Sequence, residues 1–145
     1  MPHSFNKIWI HAIWSTKDRM PLLQPNIEKT IHQFISEQFK ELGCPVRIIN
    51  GMPDHLHCLF LLSPQKSIND VIKQVKGSSS YHINQNNLTP EKFAWQTGYA
   101  TYSVSESVSE RVFNYIKNQK SHHLKKTFNQ EYEDFLKLYG IKNKI

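Results

Sequence analysis

Long apolar stretches are missing from this 145-residue chain: the longest, around Leu59 to Leu62, is far too short to cross a bilayer. The N-terminus lacks the basic-then-apolar layout of a signal peptide, so a cytoplasmic protein without a membrane partner is expected. Cysteine is scarce. Cys44 and Cys58 are the only two, they lack metal-site spacing, and they read as small core side chains. No glycine-rich phosphate loop is present, and neither are repeats, a linker or a shift in composition, so residues 1–145 read as one domain around one core. With 39% hydrophobic and 21% charged residues the chain is neither disordered nor fibrous. Acid is outnumbered: 12 Asp and Glu stand against 18 Lys and Arg, a formal charge of +6 that suits a polyanionic partner.

What is there begins with "FNKIWIHAIWST" (5–16), whose β-branched and aromatic content predicts a first strand. From Pro25 to Leu42, Ile27, Ile31, Phe34, Ile35, Phe39 and Leu42 recur at helical spacing, and Gly43 is placed to end that helix. "PVRIIN", the turn "GMPD" and "HLHCLFLL" read as an antiparallel hairpin. Ser67 with Asp70 resembles a capping box opening a helix through Ile68, Val71, Ile72 and Val75, which is expected to weaken at "GSSS". "FAWQTGYATYSVS" suggests one or two further strands. Helical spacing returns from Ser107 to about Lys126, and "NQEYEDFLKLYG" predicts a last short helix ended by Gly140. The order matches an α+β, ferredoxin-like antiparallel sheet (β-α-β-β-α-β) with an added C-terminal helical segment.

Two features break these patterns. His55 and His57 interrupt an apolar strand, and because side chains alternate they project from one face while Leu56 and Cys58 point the other way. Two imidazoles on one face can share an ion. The second feature is "YIKNQKSHH" (115–123), where Tyr115 and Gln119, four apart, stand one turn from each other on a helix. Around them Arg111, Lys117, Lys120, Lys125 and Lys126, with His122 and His123, form a stretch between 111 and 126 without an acid. A solvated helix usually mixes its signs, whereas a one-sign stretch suits a phosphate backbone.

"MPDHLH", "WQTGY", "SVSES" and "YIKNQKSHH", in this order and at these separations, resemble the single-tyrosine HUH transposases of the smallest bacterial insertion sequences. The resemblance extends from "IWSTKDRMPLL" to "FNQEYEDFLKLYGI". It implies a ferredoxin-like sheet presenting His55 and His57, a helix delivering Tyr115 as nucleophile, and Mg²⁺ or Mn²⁺ held by His55, His57 and Gln119. It further implies single-stranded DNA with hairpins as substrate, and a homodimer in which the tyrosine helix can act in trans on the partner's metal site. The implied activity is metal-dependent cleavage and rejoining of DNA at element ends through a 5′-phosphotyrosine, with no ATP or reducing cofactor.

The residue types suit that chemistry. A tyrosine hydroxyl titrates near about 10, so at neutral pH it needs a cation or base to make it a nucleophile. A rival zinc site would use His55, His57, His122 and His123. Asp54 is placed to orient an imidazole from behind. Trp95, Tyr99 and Tyr102 are candidates for stacking on unpaired bases or for the core, and Arg19, Lys73 and Lys76 for lining a DNA groove or facing water. Other readings remain open: a non-catalytic single-strand binding module of the RNA-recognition type, a host-retained HUH endonuclease, or an initiator of rolling-circle replication or plasmid transfer.

Overall fold

Alternating apolar side chains make Trp9–Ser15 the first strand, β1, shorter at its start than its composition predicts. It is followed by α1 (Pro25–Glu41), β2 (Val46–Met52), β3 (His55–Leu61), α2 (Ile68–Gln85), β4 (Ala100–Val104) and α3 (Ser109–Lys117). The structure, a computed structural model, describes residues 4–121 together with Gln130, Glu133, Asp134, Lys137 and Tyr139. The sheet order is β2-β3-β1-β4 with every neighbouring pair antiparallel, which is the ferredoxin-like plan. Gln130, Glu133, Asp134 and Lys137 are helical, as the C-terminal pattern predicts, whereas the expected continuation to Lys126 and the stop at Gly140 lie outside the described residues. No helix among the described residues is long and apolar enough to cross a membrane.

One face of the sheet is closed by α1 and α2. Helix α1 starts with proline in its first turn, buries Ile31, Ile35 and Phe39, and ends before Gly43, whose φ of +74° is a conformation that glycine adopts without strain. Ser67 caps α2 by accepting the Asp70 N–H at 3.1 Å. Against these helices β1 and β3 turn Ile10, Ala12, Trp14, Leu56, Cys58 and Phe60, all buried. Each large side chain enclosed here contributes roughly 1.5–3 kcal/mol.

Helix α2 does not weaken at Gly77-Ser78-Ser79-Ser80 but runs on to Gln85. The serine hydroxyls bond back to the carbonyls three residues earlier, so they leave the helix intact rather than competing with it. Ser79 is buried and accepts the Trp95 indole N–H at 2.9 Å. This places Trp95 against Trp14 and Phe93 in the core, the second of its two expected roles. Of the one or two strands expected between 93 and 105, β4 is regular and the other is a single bridge between Thr16 and Trp95.

The opposite face is apolar over only part of its area, where Trp9, Leu59 and Val104 meet Val112 and Ile116 of α3. Strand β3 is therefore covered on both sides. The hairpin joining β2 to β3 is close at Gly51, where a Cβ would lie 2.2 Å from the His55 carbonyl oxygen and 2.7 Å from the Leu56 Cα. Backbone cannot yield as a side chain can. Gly51→Ala is expected to lower stability by about 1–3 kcal/mol in urea denaturation; a midpoint equal to the parent's would show that the hairpin is looser than described.

Candidate functional site

His55 and His57 are carried by β3 on the face that α3 covers, opposite Ser15 and Ile13 of β1 and Met52 and Asn50 of β2. Both are buried, with ring centroids 5.3 Å apart. His55 Nδ1 lies 2.7 Å from Asp54 Oδ1, and Asp54 also accepts from Arg19 Nε at 3.1 Å. The hydrogen bond to His55, ahead of the charges of His55 and Arg19, holds the Asp54 carboxyl down at about 2. Asp54 thus stands behind His55, in the orienting position offered for it. Arg19, offered as a groove cation, is tied to that carboxylate.

His57 Nδ1 lies 2.9 Å from Nε2 of His11. His11 is fully buried on β1, and burial pulls its pKa down to about 3, so it is a neutral imidazole. Its Nδ1 hydrogen-bonds the Tyr139 hydroxyl, and the Tyr139 ring stacks on Tyr102 with centroids 4.6 Å apart. Burial raises Tyr139 well above the usual phenol range. The Tyr115 ring, half-buried on α3, sits 5.8 Å from the His57 ring and 6.3 Å from that of His11, centroid to centroid.

The helix carrying Tyr115 is interrupted before Gln119. Helix α3 ends at Lys117, Asn118 is a turn at φ −96°, ψ 18°, and helix resumes at Gln119, so the single unbroken helix expected for the pair is corrected. Asn50, paired across the hairpin with His57, donates through Nδ2 to the carbonyls of Ile116 and Lys117, both at 3.1 Å. It receives the carbonyls that the interruption releases and anchors the segment beside the histidine strand.

Gln119 is fully buried, and neither its amide oxygen nor its amide nitrogen has a hydrogen-bond partner among the described residues. Leaving such an amide unsatisfied costs about 1–3 kcal/mol for each group, which an ion ligated by the oxygen would offset in part. Among the described residues no three His, Cys, Asp or Glu are grouped to hold a metal. An imidazole backed by a carboxylate, as His55 is by Asp54, is the usual setting of a ligating histidine. The residues present fit a divalent cation.

The basic stretch divides. Arg111 and Lys117 are exposed on α3. Lys120, also exposed, donates to Glu28 at 2.9 Å, to Asn50 Oδ1 at 3.1 Å and to the Gly51 carbonyl at 2.7 Å. His122, His123, Lys125 and Lys126 lie outside the described residues, and with them half of the rival zinc set. Lys76 is likewise engaged, pinning the Gln96 and Gly98 carbonyls at 2.8 and 2.7 Å, whereas Lys73 is exposed. The loop so pinned walls an open cleft of about 350 Å³, whose lining includes His55, His57, Tyr115, Tyr99, Tyr102 and Arg19. Tyr99 is exposed at the rim, its hydroxyl donating to Asn69 at 3.1 Å.

Sequence reasoning singled out neither His11 nor Asn50. The alternation along β1 places His11 on one face with Trp9 and Ile13, but which strand that face adjoins depends on a register that only the folded sheet supplies.

His11 and the partly buried His32 give the protein a defined acid response. Burial lowers His11 to about 3 and His32 to about 4, so each binds fewer protons folded than unfolded, and stability falls as pH drops below the ordinary imidazole value of 6.5. The loss is about 1.4 kcal/mol per pH unit for each histidine. Asp54 adds a later loss as pH falls from 3.8 to about 2. Denaturation free energies measured from about pH 7 to about pH 5 are expected to fall, and His32→Leu to flatten the slope by roughly half; an unchanged slope in that variant would contradict the assignment.

The chain matches the family described as "Transposase IS200 like" over residues 4–119. It is 27% identical over 114 residues to the ISDra2 transposase TnpA of Deinococcus radiodurans, covering 75% of this chain and 81% of that one. Among solved structures it resembles a transposase from Deinococcus radiodurans, with TM-score 0.64 and 25% identity, over 80% of this chain and 93% of the other. It also shares its fold with a REP-associated tyrosine transposase bound to a REP hairpin, with TM-score 0.61 and 14% identity, over 83% and 72% of the two chains.

Proposed function

Since the chain belongs to the IS200-like transposase family, we propose that it cuts and rejoins single-stranded DNA through Tyr115, with His55, His57 and Gln119 holding a divalent cation. The observation that carries this reading is the grouping of a phenol beside two backed imidazoles; the buried Gln119 amide, one turn on from Tyr115 in sequence and without a hydrogen-bond partner among the described residues, supports it. The N,N,O donor set favours Mn²⁺ on ligand preference, while abundance favours Mg²⁺. When bound, the cation would polarise the scissile phosphate and stabilise charge on the departing oxygen.

Tyr115 does the covalent work. Its Oη attacks phosphorus, the bond from phosphorus to the 3′-oxygen breaks, and the phenolic proton lost is balanced by the one the 3′-oxygen takes up. The products are a 5′-phosphotyrosine and a free 3′-hydroxyl. One phosphodiester replaces another of similar energy, so rejoining is the same step reversed with a different 3′-hydroxyl, and no ATP is consumed. His57 and His55, fixed through Nδ1, supply a rigid pair of nitrogens, and rigidity is what positioning catalysis requires.

The substrate in this reading is hairpin-bearing single-stranded DNA, in keeping with the REP hairpin bound by the REP-associated tyrosine transposase. The cleft beside Tyr115 is open and walled by Tyr99 and Tyr102, faces on which an unpaired base can stack. Arg111 and Lys117 meet the backbone from α3. A homodimer completes the proposal. The single chain already brings Tyr115 beside its own His57, so a trans arrangement would be reached by exchange of the α3 segment between subunits.

Incubation with Mn²⁺ and hairpin-bearing single-stranded DNA is expected to give a covalent protein–oligonucleotide adduct on a denaturing gel. Tyr115→Phe abolishes it, and Gln119→Ala raises the Mn²⁺ needed for half-maximal cleavage by at least about tenfold. Equal adduct from Tyr115→Phe would remove the nucleophile assignment. DNA binding that survives chelation, with no strand cut, would favour a non-catalytic binding module.

A further inference from the structure

His55 and His57 are both held from behind through Nδ1, but by different partners. Asp54 takes His55 at 2.7 Å, whereas His57 meets His11 Nε2 at 2.9 Å. His11 reaches it diagonally, because the residue directly opposite His57 on β1 is Ile13. A contact between two ring nitrogens requires one to donate and the other to accept.

The other His11 nitrogen bonds the Tyr139 hydroxyl, so two proton arrangements are open. In the first, Tyr139 donates to His11, His11 donates to His57, and the single proton of a neutral His57 is left on Nε2, where it blocks ligation. In the second, His57 donates from Nδ1, His11 accepts at Nε2 and donates from its own Nδ1 to the Tyr139 oxygen, and His57 Nε2 keeps its lone pair.

We propose that His11 is a positioning residue that holds His57 in the second arrangement, making Nε2 the nitrogen available to a divalent cation. This rests on the metal reading above and adds to it the residue that sets which nitrogen ligates. His11 does for His57 what Asp54 does for His55, with a neutral acceptor in place of a charged one. Its complete burial between β3 and the Tyr139 side fits that role. An imidazole enclosed away from water favours a partner at each nitrogen, and the hydrogen bonds of His11 to Tyr139 and to His57 provide them.

The test begins on the metal-free parent. In ¹⁵N-histidine NMR, His57 is expected to carry its proton on Nδ1 and to be bare at Nε2; the reverse tautomer overturns the inference without any variant having to fold. Mn²⁺ titration followed by water-proton relaxation then separates the roles. His11→Leu is expected to weaken Mn²⁺ binding by about tenfold to a hundredfold, and His11→Gln, whose amide oxygen replaces the acceptor, to stay within about threefold of the parent. Parent-like binding by His11→Leu overturns the role of His11 alone. A parent that binds no Mn²⁺ overturns the metal reading itself and this inference with it.

Discussion

Burial of β3 on both faces constrains everything around it. Leu56, Cys58 and Phe60 belong to the core under α1 and α2, so period-two alternation commits His55, His57 and Leu59 to the face under α3. A one-residue slip would drive two imidazoles into the larger apolar core and expose its leucine and phenylalanine to the polar side. The register of the whole sheet is thus tied to the placement of the candidate site. Gly51, which lets β2 approach the backbone at His55, belongs to the same constraint.

Enclosed imidazoles favour partners, and the fold supplies those of His55 and His57 from two directions. Asp54 comes from the hairpin turn, His11 from the neighbouring strand, and Asn50 from β2 secures the helix segment beside them. Gln119, like Trp14 Nε1 and His32 Nε2, is left without a partner among the described residues. It is enclosed with neither amide atom bonded among the described residues, next to a helix interruption that Asn50 and Lys120 hold in place. An enclosed amide left open at both of its atoms costs stability, which the ligand role proposed for Gln119 would account for.

Much of this was legible beforehand. The spacing of Ile31, Ile35 and Phe39 with Gly43 after them defines α1, and the His55–His57 alternation puts both imidazoles on the face where α3 brings Tyr115. The rest depends on contacts between elements. Nothing local tells that "GSSS" stays helical, because that follows from serines bonding back to their own helix and from Ser79 meeting Trp95. Lys120 reads as one of a run of cations, and nothing local tells that it pairs with Glu28, ninety-two positions earlier. His11 becomes part of the site only through the pairing of β1 with β3.

The central claim is that His55, His57 and Gln119 converge on one cation beside Tyr115. Anomalous diffraction at the manganese edge from crystals grown with Mn²⁺ tests it most directly. The account predicts a single strong peak in coordination contact with a nitrogen of each imidazole and with the Gln119 amide oxygen. A peak ligated without Gln119, or none in a crystal where the two histidines are well ordered, would contradict it.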